Sequence, residues 1–244
     1  MNPHVLLLSH GSRDLSSIEE MGRLAQTYQA RHPDWKIHHA FLELADPSFI
    51  SVVEKIASHS EKIQVLPLFL FEGVHVTQDI PALVQKARLK FPRVTFQLAR
   101  PFGMDPLVTD LLWERLCSIG FDPTRTPSRI LMVGHGTSDG KANEDFLNLA
   151  SLFQKRHSLS AMEASFIGMG KPLWEESWSA FSNLEPGILW ILPYFLFQGH
   201  FAGKILEKIN RFRVENPGWK VQLAPPLSGS ELFFKILDAR LDAL

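Results

Sequence analysis

Ile63 to Pro81 reads IQVLPLFLFEGVHVTQDIP, and Ile188 to Ile205 reads ILWILPYFLFQGHFAGKI. Each begins as an apolar and aromatic run long enough for one strand buried on both faces, stops at Gly73 or Gly199, and turns polar. Strands of that kind belong to parallel sheets covered by helices on both sides. In open sheets of this class ligands bind beyond the carboxyl ends of the strands. His75 stands two residues past Gly73, which places a titratable imidazole just beyond the end of a central strand.

Working outward, Val5 to Leu8 reads as a short buried strand and Ser9-His10-Gly11-Ser12 as the turn after it. Ser16 with Glu19 and Ser17 with Glu20 fit the capping-box pattern. Ile18, Met21, Leu24, Ala25 and Tyr28 then recur at helical spacing up to Pro33. Lys36 to Leu42 is a second strand ending at Glu43, and Asp46-Pro47 reads as a cap opening a second helix. A third helix is expected from Ile80, a fourth strand over Val94 to Ala99, and another helix from Asp105-Pro106. Strand and helix alternate with short connections, which implies parallel strands joined by right-handed helical crossovers.

After Ile119 to Ser128, a Pro- and Gly-containing linker candidate, the pattern restarts. At an offset of 125 residues His10 meets His135, Phe41 meets Phe166 and Pro47 meets Pro172; in the aromatic strand the offset is 126 and Pro67 meets Pro193. So long a period is a duplicated domain. The expected fold is α/β, with two similar domains, 1–118 and 129–244, each a four-stranded parallel sheet flanked by helices. Two such halves facing each other would leave an interdomain cleft.

Composition narrows the function classes. Of 244 residues, 45% are hydrophobic and 21% charged, and Lys+Arg 25 against Asp+Glu 26 gives a net charge of −1. No global field favours nucleic acid or an acidic membrane, so neither partner is expected. The single Cys117 cannot form an internal disulfide and is expected as a packed thiol, consistent with a reducing cytoplasm. The apolar run at the N-terminus is too short for a signal peptide, and Ile188 to Phe197 is about half a membrane span.

The duplication serves as an internal control. His10 has a counterpart in His135, whereas Glu43 aligns with Gly168 and His75 with Phe201, His200 lying one residue earlier. Each residue has an ordinary reading: a turn histidine bonded to backbone, a solvated glutamate, a surface imidazole. Together, His10, Glu43 and His75 follow successive strands of one parallel sheet, so the fold brings them to one edge. Two imidazoles and a carboxylate suit a divalent first-row metal and leave coordination positions open. The same groups accept protons near neutral pH.

HVLLLSHGSR ending at Arg13, FLELADPS around Glu43 and LPLFLFEGVHVTQDIP from Leu66 to Pro81 resemble the class II tetrapyrrole chelatases, specifically the sirohydrochlorin cobaltochelatase and ferrochelatase group of CbiX and SirB type. GHGT and LPYFLFQGHFAGKI resemble the second half of its long, two-domain form. The resemblance covers nearly the whole chain. It implies ATP-independent insertion of Co2+ or Fe2+, with Ni2+ also considered, into sirohydrochlorin or a related tetrapyrrole on the routes to cobalamin or siroheme. No cofactor beyond that substrate metal is expected. It assigns metal binding and proton acceptance to His10 and His75, with Glu43 beside them, and one working site in residues 1–118. Ser9, Gly11, Ser12, Phe71, Gly73, Val74 and His135 are the expected substrate contacts, with Phe102 and Met169 as further apolar lining. The chain is expected to be a cytoplasmic monomer with internal duplication. A non-enzymatic metal or tetrapyrrole carrier could use the same residues. A histidine phosphatase would need arginine directly before the first-strand histidine, where this chain has Ser9.

Overall fold

A computed structural model describes residues 3–124 and 128–244; the side chains of Ser182, His200, Phe201 and Ala202, and residues 125–127 of the expected linker, lie outside the described residues. The first repeat runs β1 (His4–Ser9), α1 (Leu15–Arg31), β2 (Lys36–Phe41), α2 (Phe49–Ile56), β3 (Lys62–Pro67), α3 (Ile80–Lys90), β4 (Thr95–Leu98) and α4 (Pro106–Cys117). The second runs β5 (Ser128–Gly134), α5 (Gly140–Arg156), β6 (Met162–Phe166), α6 (Trp174–Ser182), β7 (Ile188–Pro193), α7 (Gly199–Glu215), β8 (Lys220–Leu223) and α8 (Glu231–Asp242). Each sheet is four-stranded and parallel, ordered β2-β1-β3-β4 and β6-β5-β7-β8.

That order explains the site. The chain crosses from β1 to β2 on one side and then returns past β1 to β3 on the other. The point of reversal is where an open sheet leaves a crevice at its carboxyl edge. Ser9 of β1 pairs with Phe41 and Leu8 with Pro67, so the loops after β2 and β3 flank the loop after β1.

Alternating residues of β1 face opposite layers. Leu6 and Leu8 join Phe49, Val53 and Ile56 of α2 and Ile80 and Val84 of α3 in one core, all nearly inaccessible. Burying each such side chain is worth about 2 kcal/mol relative to exposure, and a strand of continuous apolar residues fits only where both faces are covered.

The compact units are not cut where the sequence repeats are. One unit holds Met1–Gly103 with Ser228–Leu244, the other Met104–Leu227. The last helix of each repeat therefore belongs to the other unit. In the first unit Tyr28 of α1 stacks on Phe234 of α8 and donates to Asp238, which also takes His32 at 2.9 Å. In the second, Trp113 of α4 stacks on His157, and Arg156 pairs with Asp110 at 2.7 Å. Apolar faces on α4 and α8 choose the exchange, burying Leu111, Leu112 and Leu116 in one unit and Phe233, Ile236 and Leu237 in the other.

Three local expectations are corrected. Asp14, not Ser16 or Ser17, caps α1, because its carboxylate reaches the Ser16 N–H from extended backbone. Ser48, not Asp46, caps α2, after a cis Asp46-Pro47 bond. Cys117 is exposed at the end of α4 rather than packed. Asp105 caps α4 as expected, with Pro106 in the first turn. Among the described residues no helix is long and apolar enough to cross a membrane.

Candidate metal centre

The loops after β1 and β2 approach at van der Waals limits. Gly11 has φ 97°, and a Cβ there would sit 1.9 Å from the Glu43 carbonyl oxygen. Only glycine serves both demands, left-handed backbone and close approach. The Glu43 N–H donates to the His10 carbonyl at 3.0 Å, and the Leu42 N–H to that of Ser9 at 2.8 Å. This stitching holds His10 beside Glu43. Directly after it, Leu44 adopts φ 63°, uncommon for leucine, and the chain turns sharply.

His75 is not on a free loop. A widened, π-helical turn spans His75–Asp79 and runs into α3, with the Ile80 N–H donating to the His75 carbonyl. Pro81 accounts for the width, since a proline in a helix has no N–H to give and its ring crowds the carbonyl four residues back. The Gly73 carbonyl accepts from Val76 and Thr77 N–H, anchoring the turn to the end of the β3 loop.

Three side chains meet there. His10 Nε2 is 3.2 Å from His75 Nε2 and 3.2 Å from Glu43 Oε1. Among the described residues this is the one group of three or more His, Cys, Asp or Glu with ligating atoms all within 4.8 Å of one another. The far ring nitrogens are engaged too: His10 Nδ1 lies 3.3 Å from the Gly11 carbonyl oxygen and His75 Nδ1 is 2.7 Å from Asp79 Oδ2. Both oxygens only accept, and a proton on each Nδ1 would leave each Nε2 a lone pair facing the other residues of the group. In that tautomer two lone pairs and a carboxylate oxygen converge. Such a set repels itself unless a cation, a proton or a metal ion, sits within it. All three side chains are roughly half exposed, leaving the site open on one side.

A cavity of about 320 Å³ adjoins the group, bounded by Leu42, Glu43, His75, Asp79 and, further along α3, Leu83 and Lys86. Leu44 and Val74, the chain neighbours of Glu43 and His75, are 50% and 51% exposed.

The other expected contacts fall out unevenly. Gly11 and Gly73 shape the two loops, and Ser12 Oγ accepts from the Asp14 N–H ahead of α1. Phe71 is partly buried and Ser9 is 7% exposed. Phe102 is 2% exposed and stacks on Phe233 in the core, which corrects its place as an apolar lining residue; Met169 is 56% exposed. His135 belongs to the second unit, where burial lowers the pKa of its imidazole. His200 lies in the first turn of α7, its side chain outside the described set.

Asp79 and Leu44 were not foreseen from sequence. The His75-x-x-x-Asp79 spacing was the available signal. With the helix expected from Ile80, both residues fall in a loop, where that spacing carries no meaning.

The family model described as CbiX matches residues 4–119 and again 129–244. The chain is 28% identical over 228 residues to the sirohydrochlorin cobaltochelatase of Priestia megaterium, covering 90% of this chain and 72% of that protein. It is 26% identical over 221 residues to the sirohydrochlorin ferrochelatase of Bacillus subtilis, covering 89% and 83%. Among solved structures, SirB from Bacillus subtilis with Fe3+ superposes with a TM-score of 0.86 at 23% identity, over 99% of this chain and 95% of that one.

Proposed function

This chain belongs to the CbiX family, and on that premise we propose that it is an enzyme inserting a divalent metal ion, Co2+ or Fe2+, into sirohydrochlorin without ATP. The observation that carries the reading is the convergence of the ligating atoms of His10, Glu43 and His75 within 4.8 Å of one another.

A metal-free tetrapyrrole holds two pyrrolic N–H protons, and a divalent cation replaces both. The balance is one M2+ in and two H+ out, with no change in net charge and no redox step. Three tasks follow for the protein: hold the ion, loosen its water, and accept protons. His10 and His75 Nε2, with Glu43, supply three ligands and leave the rest of the coordination sphere to water and then to the ring nitrogens. Imidazole and carboxylate bind first-row ions without closing around them, so the ion can leave for the macrocycle. Once it leaves, the same lone pairs are free to take the pyrrolic protons, His75 and His10 passing them to water through the open side. The charge vacated by the ion is thereby replaced by protons in the same place.

The exposed Leu44 and Val74 offer an apolar seat for the ring face next to the ligands. Gly11, Ser12, Phe71 and Gly73 shape that edge, and His135 is retained as a proposed substrate contact. Ni2+ is a further candidate ion, since these ligands do not discriminate sharply. We propose a monomer, on the presence of two repeats in one chain, and a reducing cytoplasm, on the single cysteine.

A spectrophotometric assay with sirohydrochlorin and Co2+, Fe2+ or Ni2+ tests the reading. Insertion faster than the uncatalysed rate, lost in His10→Ala, is expected. Tight tetrapyrrole binding with no acceleration for any of the ions would replace the enzyme by a carrier.

A further inference from the structure

We propose that Asp79 is a positioning residue for metal transfer: it fixes the tautomer and rotation of His75, so that the Nε2 lone pair faces the ion. The inference deepens, and rests on, the reading of His10, Glu43 and His75 as transient ligands.

The Asp79 Oδ2 to His75 Nδ1 distance of 2.7 Å lies in the charge-assisted range. An imidazole that donates through Nδ1 to a carboxylate has only Nε2 left to bind a cation, and its ring is held against rotation. The other nitrogen of the same ring is the one 3.2 Å from His10 Nε2, so the hydrogen bond holds one nitrogen of His75 while the other stands at the ligand position. His10 has only a 3.3 Å contact with a backbone carbonyl on its far side. His75 is thus the better anchored of the two imidazoles. The widened turn ahead of Pro81 sets the direction of both side chains, and Asp79 also borders the cavity that reaches Glu43 and His75.

A plainer role is open to the same residue: a carboxylate in the first turn of a helix is favourable whatever it touches. The two roles separate in two variants. Asp79→Ala removes the acceptor; Asp79→Asn removes the charge but keeps an amide oxygen that still accepts from Nδ1.

The experiment titrates Co2+ into the full-length protein without tetrapyrrole, following the visible absorption of protein-bound Co2+, and pairs it with insertion kinetics and thermal melts. Asp79→Ala is expected to weaken Co2+ binding 10- to 100-fold and raise the KM for metal by a similar factor, with a smaller fall in kcat. Asp79→Asn should regain most of the affinity. A helix-start role predicts the reverse: both variants melt earlier and both bind Co2+ as the parent does. That result overturns the proposal and leaves the ligand reading standing. Absence of any Co2+ signal from the parent protein would instead overturn the ligand reading, and this inference with it.

Discussion

The two repeats build the same loop junction and dress it differently. In the first unit the Glu43 N–H donates to the His10 carbonyl; in the second the Gly168 N–H donates to that of His135, each at 3.0 Å. Gly11 and Gly136 both take positive φ, and a Cβ on either would strike a carbonyl oxygen, 1.9 Å from that of Glu43 and 1.3 Å from that of Met169. The side chains diverge. A Cβ on Gly168 would lie 3.1 Å from His135 Nε2, so the space used by a carboxylate in one repeat is closed by the histidine itself in the other. Phe201 stands where the first repeat has His75. Equal backbones with unequal side chains show that the junction is a structural device in both repeats, and the proposed chemistry rests on the side chains that only the first repeat carries.

The largest expected effect tests where the chemistry lies. His10→Ala and His75→Ala should each lower insertion on the order of 10³-fold, about 4 kcal/mol of barrier, with melting temperatures near the parent's because both side chains are half exposed. His135→Ala should cost less than about 10-fold. Equal losses in the two repeats, measured at saturating and at limiting metal, would break the comparison.

Next come the glycines. Gly11→Ala and Gly136→Ala meet the same backbone obstacle, so each should destabilise by about 3 kcal/mol or more. The functional outcomes should part: at a temperature where both variants remain folded, Gly11→Ala loses insertion because His10 and Glu43 are forced apart, while Gly136→Ala keeps most of it. Denaturant melts beside residual activity read this out.

Acid should sharpen the contrast by about 2 kcal/mol. Burial, with Lys36 and the neighbouring histidines, pushes His38 down to about 4; His4 and His39 are lowered in the same direction, chiefly by burial. His38 lies 3.1 Å from His4 across β1 and β2, while the matching positions of the second repeat are Glu163 and Arg129. Depressed imidazoles protonate first in the unfolded chain, which takes up protons near pH 6.5 while the folded one waits until about pH 4. Stability is therefore full above that window and is lost as pH falls through it. His135 and His157 are lowered too, so the second unit weakens as well, but hydrogen exchange at pH 5 should find β1 and β2 opening before β5 and β6. Simultaneous opening would show that these histidines do not set acid stability.

The smallest effect is Gly168→Ala. Its Cβ meets His135 at 3.0 to 3.1 Å, so about 1 kcal/mol is expected. Insertion should stay near the parent's, and a melt with a single-turnover assay suffices to check it.

Sequence alone determined the class of fold, the duplication, and which repeat holds the full donor set. Strands such as Val5 to Leu8 and Ile188 to Pro193 are apolar throughout, and that pattern is stable only inside a parallel sheet; the mismatches at Glu43 and His75 are read directly from the repeat offset. What the chain does locally at its turns was less legible. Asp14 and Ser48 took caps expected of Ser16 and Asp46, because a cap depends on where the backbone leaves extended geometry as well as on residue type. Only the tertiary structure decided that α4 and α8 change units, since an amphipathic helix states that it must be covered but not by which sheet. The same holds for Asp79. Its partnership with His75 exists because Pro81 widens the turn and starts the helix early, and its bearing on the site because β3 lies beside β1, two long-range facts that no window of sequence contains.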